Sequence, residues 1–206
     1  MIAGVLETSF VDYPKEISFV IFLAGCNFRC PFCHNRSVVL NENDLYETNK
    51  VLDMLEERKK FTNAVVITGG EPTIWQDKLK ELIISIKKLG FKVKLDTNGT
   101  NPSLLSELLQ LQLIDFIAMD IKNTFTKYET TSGSKVDLNT IKQSIKLIES
   151  SGIDYQFRTT LNKTMHTKED KKEIGTYVKD QNKLKFQEYK YSDQQIVDQD
   201  YGLYQD

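Results

Sequence analysis

The sequence predicts an α/β fold, a partial (β/α)6 barrel, and two observations predict it. Six short apolar runs rich in β-branched and aromatic residues alternate with segments of helical period. Polar residues and glycines follow directly after five of those runs, where parallel strands place a site beyond their C-terminal ends. The alternation calls for a parallel sheet with helices outside it. Six units are too few for a closed eight-stranded barrel, so the sheet is expected to stay open.

The elements follow in order. Residues 17–24 are the first strand and run into a cysteine loop. Residues 50–60 have helical period through Val51, Leu52 and Leu55. Residues 64–68 are a short buried strand, followed by the turn Gly69-Gly70-Glu71-Pro72. Residues 78–89 are helical, with Leu79, Leu82, Ile83 and Ile86 on one face and Gly90 at the C-cap. A strand carrying Val93 and Leu95 comes next, and Pro102 opens a helix through Leu111. Residues 114–119 are a strand, 138–149 a helix closed by Gly152, and 155–160 a strand. Residues 168–179 are a helix and 184–189 the last strand, with no clear helix after it. Residues 1–190 therefore read as one domain, and 191–206 as a polar C-terminal tail rich in Gln and Asp.

Composition narrows the functional classes. The 206 residues carry 27 Lys plus Arg and 29 Asp plus Glu, a net charge of −2. That balance offers no strongly basic field for nucleic acid. The longest apolar run, 19–25, is far too short to cross a bilayer. Residues 1–12 show no basic stretch of a secretory signal, so a cytoplasmic protein is expected.

All three cysteines fall within eight residues, Cys26-Asn27-Phe28-Arg29-Cys30-Pro31-Phe32-Cys33. Protein-bound iron–sulfur cubes usually have four cysteine ligands. Three thiolates would hold three irons of a [4Fe-4S] cluster and leave the fourth open to a small molecule. Zinc is the rival, with Cys26, Cys30, Cys33 and His34 as a Cys3His set. Adjacent Cys33 and His34 would strain that tetrahedron. A disulfide is disfavoured by the odd cysteine count.

The strand ends bring further candidates to the same rim. The second run delivers Gly69, Gly70 and Glu71, and the third Asp96, Thr97, Asn98 and Gly99. The fourth delivers Asp120 and Lys122, and the fifth Arg158 and Thr160. Each has a plainer reading. Gly69-Gly70 and Asn98-Gly99 are common turn dipeptides. Asp120 and Lys122 share one face of a strand end and make an ordinary ion pair. Arg158 suits a buried structural ion pair. His166 has no evident partner and reads as a loop residue, and the lysines of 163–190 read as solvated faces.

Taken together these motifs resemble the radical S-adenosylmethionine (SAM) superfamily, and more closely the activating enzymes of glycyl radical enzymes. Thr8-Ser9-Phe10-Val11-Asp12-Tyr13-Pro14, leading to Gly25-Cys26 through His34-Asn35, is most similar to the anaerobic ribonucleoside-triphosphate reductase activating proteins. Thr68–Pro72, Asp96–Gly99, Met119–Lys122 and Phe157–Thr160 continue the resemblance in order, over roughly residues 2–190. Pyruvate formate-lyase activators share several of the later motifs.

The resemblance implies a TIM-like partial barrel of radical SAM type. It implies a [4Fe-4S] cluster on Cys26, Cys30 and Cys33, with SAM on the open iron. One electron from a flavodoxin or ferredoxin would cleave SAM, and the resulting 5′-deoxyadenosyl radical would take hydrogen from a glycine Cα of the partner. Gly69 and Gly70 carbonyls would accept from the SAM amino group, with Glu71 orienting that end. Asp120 and Lys122 suit the SAM carboxylate and ribose, with Asp96, Thr97, Asn98 and Arg158 in the same set. Phe32 is expected near adenine, and His34 as a packed neighbour of the cluster. Asp96 and Asp120 would repel unless a cation offsets them.

The chain also departs from the pattern. Leu161-Asn162-Lys163 stands where relatives often carry a proline, and Tyr189-Lys190 where some activators place a SAM-contacting histidine. With no further cysteine, auxiliary clusters are disfavoured. The alternatives are activation of another glycyl radical enzyme, small-molecule chemistry such as 7-carboxy-7-deazaguanine synthesis (whose first cysteine spacing is usually longer), and a zinc-stapled binding module.

Overall fold

The computed structural model describes residues 1–190 and Ile196. The tail expected over 191–206 otherwise lies outside the described residues. In chain order the elements are β1 (Ile2–Ser9), β2 (Ser18–Leu23), α1 (Arg36–Val39), α2 (Thr48–Arg58), β3 (Ala64–Gly69) and α3 (Asp77–Lys88). There follow β4 (Lys92–Thr97), α4 (Pro102–Gln110), β5 (Phe116–Asp120), α5 (Tyr128–Ser132), α6 (Leu138–Glu149), β6 (Asp154–Leu161), α7 (Lys168–Gly175) and β7 (Leu184–Glu188). They build a seven-stranded sheet in sequential order, β1 to β7. Strands β2 to β7 are parallel, the six read from the sequence, and β1 lies antiparallel on β2.

β1 corrects the strand count from six to seven. Only Ile2, Ala3 and Ser9 are buried in it, so its burial has no clean period of two. An edge strand with one pairing neighbour needs less apolar alternation than an interior one. Helix α7 also stops at Gly175, four residues before the expected end. The Gln181 side chain donates to the Gly175 carbonyl at 2.8 Å and caps the helix there.

Local chemistry sets the other boundaries. Asn101 accepts from the Leu104 N–H while Pro102 supplies the first helical φ of α4. Asp137 caps α6, and Thr167 with Asp170 forms a capping box on α7. Gly90 and Gly152 take positive φ after α3 and α6, as chain reversal at a helix end requires.

The two faces of the sheet differ in kind. The outer face buries Phe19, Ile21, Val65, Ile67, Val93 and Leu95 against the helices. Helix α3 contributes Leu79, Leu82, Ile83 and Ile86, none more than 2% exposed, and each such side chain is worth roughly 1.5–3 kcal/mol of burial. The inner face carries a small apolar floor of Tyr13, Val20, Ala64, Val66, Phe116 and Ala118. Toward the C-terminal ends of the strands, the inner positions turn polar: Thr68, Asp96, Asp120, Arg158 and Thr160 face a cavity. The period of two thus sends apolar side chains to the helices and floor, and polar ones to the strand C-termini.

Candidate active site

The cavity at the C-terminal ends of the parallel strands measures about 490 Å³. Cys26, Cys30 and Cys33 line it, with Phe32 and His34 from the same loop. Gly69, Gly70 and Glu71 come from the end of β3, and Asp96, Thr97 and Asn98 from β4. Asp120 comes from the end of β5, Lys122 from two residues beyond it, and Arg158 from β6. Apart from Gly99, the loop and strand-end residues picked out from sequence therefore stand around one space.

Backbone bonds hold the cysteine loop to its neighbours. The Gly70 N–H donates to Leu23 O and the Glu71 N–H to Gly25 O, each at 2.9 Å. The Arg29 N–H donates to Ser132 O at 2.8 Å. A Cβ on Gly70 would lie 1.8 Å from Gly25 O, so only glycine permits this approach. Gly69 takes φ 120, and its Cβ would meet the Leu23 backbone at 2.4 Å.

Two of the expected cofactor contacts turn out to join loops to one another. Glu71 is fully buried, and Oε1 accepts from Thr73 N (3.0 Å), Thr73 Oγ1 (2.6 Å) and Thr97 Oγ1 (2.8 Å). Its Oε2 accepts from Asn98 N at 2.6 Å. Burial pushes the Glu71 carboxyl upward, against the pull of these hydrogen bonds. Asn98 in turn donates to Asn27 Oδ1 at 2.7 Å, and Asn27 donates to Thr100 Oγ1 at 2.8 Å. Glu71 and Asn98 thereby clip the glycine turn, the β4 end and the cysteine loop into one unit.

The charged residues form a chain of alternating sign. Arg158 reaches both carboxylates, Nη1 to Asp96 Oδ2 at 3.1 Å and Nε to Asp120 Oδ1 at 2.8 Å. Lys122 meets Asp120 Oδ2 at 3.1 Å, and Lys94 contacts Asp96 Oδ1. The repulsion expected between Asp96 and Asp120 is thus relieved by a guanidinium between them. Burial alone would raise the Asp120 pKa, but Arg158 and Lys122 hold it well below the usual carboxylate range. Burial disfavours the Lys122 and Arg158 charges as well, and Asp120 reverses that, so both are pushed up.

Phe32 and His34 complete the wall and pack against His166 and Tyr189, which lie outside it. His34 is exposed, lies 5.1 Å from the Tyr189 ring, and approaches Lys190 O at 2.5 Å. His166 is not without partners, as the sequence suggested. One ring nitrogen lies 2.8 Å from Lys122 O, and the other accepts from Asn162 N at 3.2 Å. Phe32 packs edge-on to His166 and Tyr189 at 6.4 and 6.1 Å. Lys94 was missed by sequence reasoning. Its one available signal was the two-residue spacing to Asp96, which puts both on the same strand face.

The thiols fit an iron–sulfur cluster. All three are free. Burial pushes Cys30 up to about 11, and raises Cys26 and Cys33 as well. Burial thus favours the neutral thiols, and a bound cation would favour the thiolates instead. Among the described residues, no three His, Cys, Asp or Glu side chains converge on a single-ion site. Three soft donors on one loop, beside a cavity with room for a ligand, suit a cube with one open iron.

An open parallel barrel with a tri-thiol loop at its strand C-termini is the scaffold of an iron–sulfur enzyme. Residues 20–180 match the radical SAM superfamily. The chain belongs to that superfamily, whose enzymes work with a [4Fe-4S] cluster and SAM. It is 35% identical over 197 residues to a Methanocaldococcus jannaschii protein provisionally named a glycyl-radical enzyme activating enzyme, covering 94% of this chain and 81% of that one. It is 32% identical over 123 residues to the pyruvate formate-lyase-activating enzyme of Streptococcus mutans, 54% of this chain and 46% of the relative. The crystal structure of Streptococcus suis SuiB bound to S-adenosylmethionine superposes with a TM-score of 0.66 at 18% identity, covering 86% of this chain and 43% of SuiB. That likeness concerns the fold. Among the described residues, no helix is long and apolar enough to cross a membrane.

Proposed function

We propose that this chain is an activating enzyme that installs a glycyl radical on a partner enzyme. The observation that carries the reading is the gathering of three free thiols and the polar groups at the ends of β3 to β6 around one cavity, in a chain matched over 94% of its length to a relative of that name. When bound, the cluster and SAM supply one-electron cleavage of the sulfonium C5′–S bond and, through it, abstraction of hydrogen from a glycine Cα of the partner.

The residues of this chain would divide the remaining work. Cys26, Cys30 and Cys33 would ligate iron. Gly69 and Gly70 would let backbone carbonyls approach the ligand's ammonium group. Lys122 would attract its carboxylate, and Asp120 and Asp96, held ready by Arg158, would accept hydrogen bonds from the ligand's hydroxyl and ammonium donors. Phe32, packed by His166 and Tyr189, would shield the site from water. The open sheet edge would admit a partner's loop, which a closed barrel would exclude.

Within this reading, anaerobic ribonucleoside-triphosphate reductase is the proposed partner, a flavodoxin or ferredoxin the electron donor, and the cytoplasm the setting. The partial match to a pyruvate formate-lyase-activating enzyme supports a partner of that type as the second reading. The test is anaerobic reconstitution with iron and sulfide, reduction, and assay of 5′-deoxyadenosine from SAM. Each candidate partner is then added and its glycyl radical followed by electron paramagnetic resonance. Absence of 5′-deoxyadenosine would overturn the enzyme class for this site. Its formation without a radical on any glycyl radical enzyme would overturn the activase reading alone.

A further inference from the structure

Lys94 is a buried charge that none of the proposed chemistry uses. Its side chain is 5% exposed, and it lies on the inner face of the sheet below the cavity. Its strand neighbours in register are Val66 and Phe116, both part of the apolar floor. The Nζ stands 6.0 Å from the centre of the Phe116 ring and contacts Asp96 Oδ1. The cavity wall includes Asp96 but not Lys94.

A lysine in an apolar floor is costly to bury, and replacing a buried ion pair by apolar groups is often neutral or stabilising. Stability alone therefore gives little reason for Lys94. Its geometry gives another. Each oxygen of the two cavity carboxylates has one cationic partner: Lys94 and Arg158 on Asp96, Arg158 and Lys122 on Asp120. Lys94 anchors Asp96 from beneath, and Arg158 holds it from the side. Without Lys94, Asp96 would keep a single anchor and could rotate toward Arg158.

We propose that Lys94 is a positioning residue of the SAM site, acting through Asp96 to fix the carboxylate that accepts a hydrogen bond from the ligand. This rests on the reading of the cavity as a SAM site. The test compares wild type, Lys94→Met, Asp96→Asn and the double variant after anaerobic reconstitution, measuring iron content, thermal midpoint and the equilibrium dissociation constant for SAM.

Lys94→Met is expected to keep its iron, to melt somewhat lower than wild type because Asp96 keeps only Arg158, and to bind SAM about tenfold more weakly at a temperature where it is fully folded. Asp96→Asn is expected to weaken binding, and adding Lys94→Met to it to weaken binding no further, because the two act as one unit. Wild-type affinity in Lys94→Met, or penalties that simply add, would overturn the role. Lys94→Gln carries the same comparison if Lys94→Met does not fold. A wild-type protein that itself fails to bind SAM overturns the parent reading and this inference with it.

Discussion

Arg158 from β6 and Lys122 from the segment after β5 reach one carboxylate, and that contact decides the charge around it. Asp120 is one-third exposed on its side chain yet takes a cation on each oxygen. Lys122→Met is expected to raise the dissociation constant for SAM by about 10–100-fold, through loss of a charge-assisted bond; unchanged affinity in equilibrium dialysis removes Lys122 from the site. Asp120 also predicts an acid limb of stability. Its folded pKa lies below the unfolded value, so its contribution is present above about pH 4 and is lost as pH falls toward the folded value. Denaturation between pH 5 and pH 2 should therefore show a steeper loss in wild type than in Asp120→Asn, and equal slopes would contradict the assignment. The sequence made the polar residues visible but not their partners. Asp120 and Lys122 are two residues apart and legible as a pair, whereas Arg158 comes from 38 residues away. The Glu71 bonds across loops were not legible either, because two of its four hydrogen-bond donors, Thr97 Oγ1 and Asn98 N, lie in parts of the chain whose proximity only folding creates.

At the level of elements, the glycine turn after β3 and the cysteine loop after β2 behave as one piece. Parallel pairing puts Leu23 opposite Gly69, so the two loops leave the sheet side by side. Gly70→Ala would drive its Cβ into Gly25 O and against Cys26 Cβ. The expected outcome is a folded protein that retains little iron after reconstitution, read by iron per chain and the visible spectrum; a full cluster complement would show that the loops yield. Helices were legible wherever the apolar period ran long, as in α3 and α6. Strand β1 was not, because an edge strand of mixed polarity lacks the alternation that marks interior strands. The end of α7 was hidden for another reason, since its cap comes from Gln181, a residue beyond the helix itself.

For the molecule as a whole, an open seven-stranded sheet places its ligands at one end and its packing on the opposite face. Ligand binding at that end couples to global stability, because the folded loops bind iron and the unfolded chain does not hold it in that arrangement. Anaerobic chelation of the reconstituted protein is expected to lower the thermal midpoint by about 5–10 °C, and an unchanged midpoint would mean the thiols hold no stabilising cluster. Length, alternation and the C-x3-C-x2-C loop, all local properties of the chain, determined the parallel architecture, the donor set and the rim where polar residues gather. Tertiary structure alone decided that Glu71 and Asn98 join loops, that Arg158 separates two carboxylates, that His166 supports Phe32, and that Lys94 lies beneath Asp96. All but the Lys94–Asp96 pair are contacts between strands and loops distant in sequence, and a pattern of period two or 3.6 records which face a residue takes but not which residue it meets there.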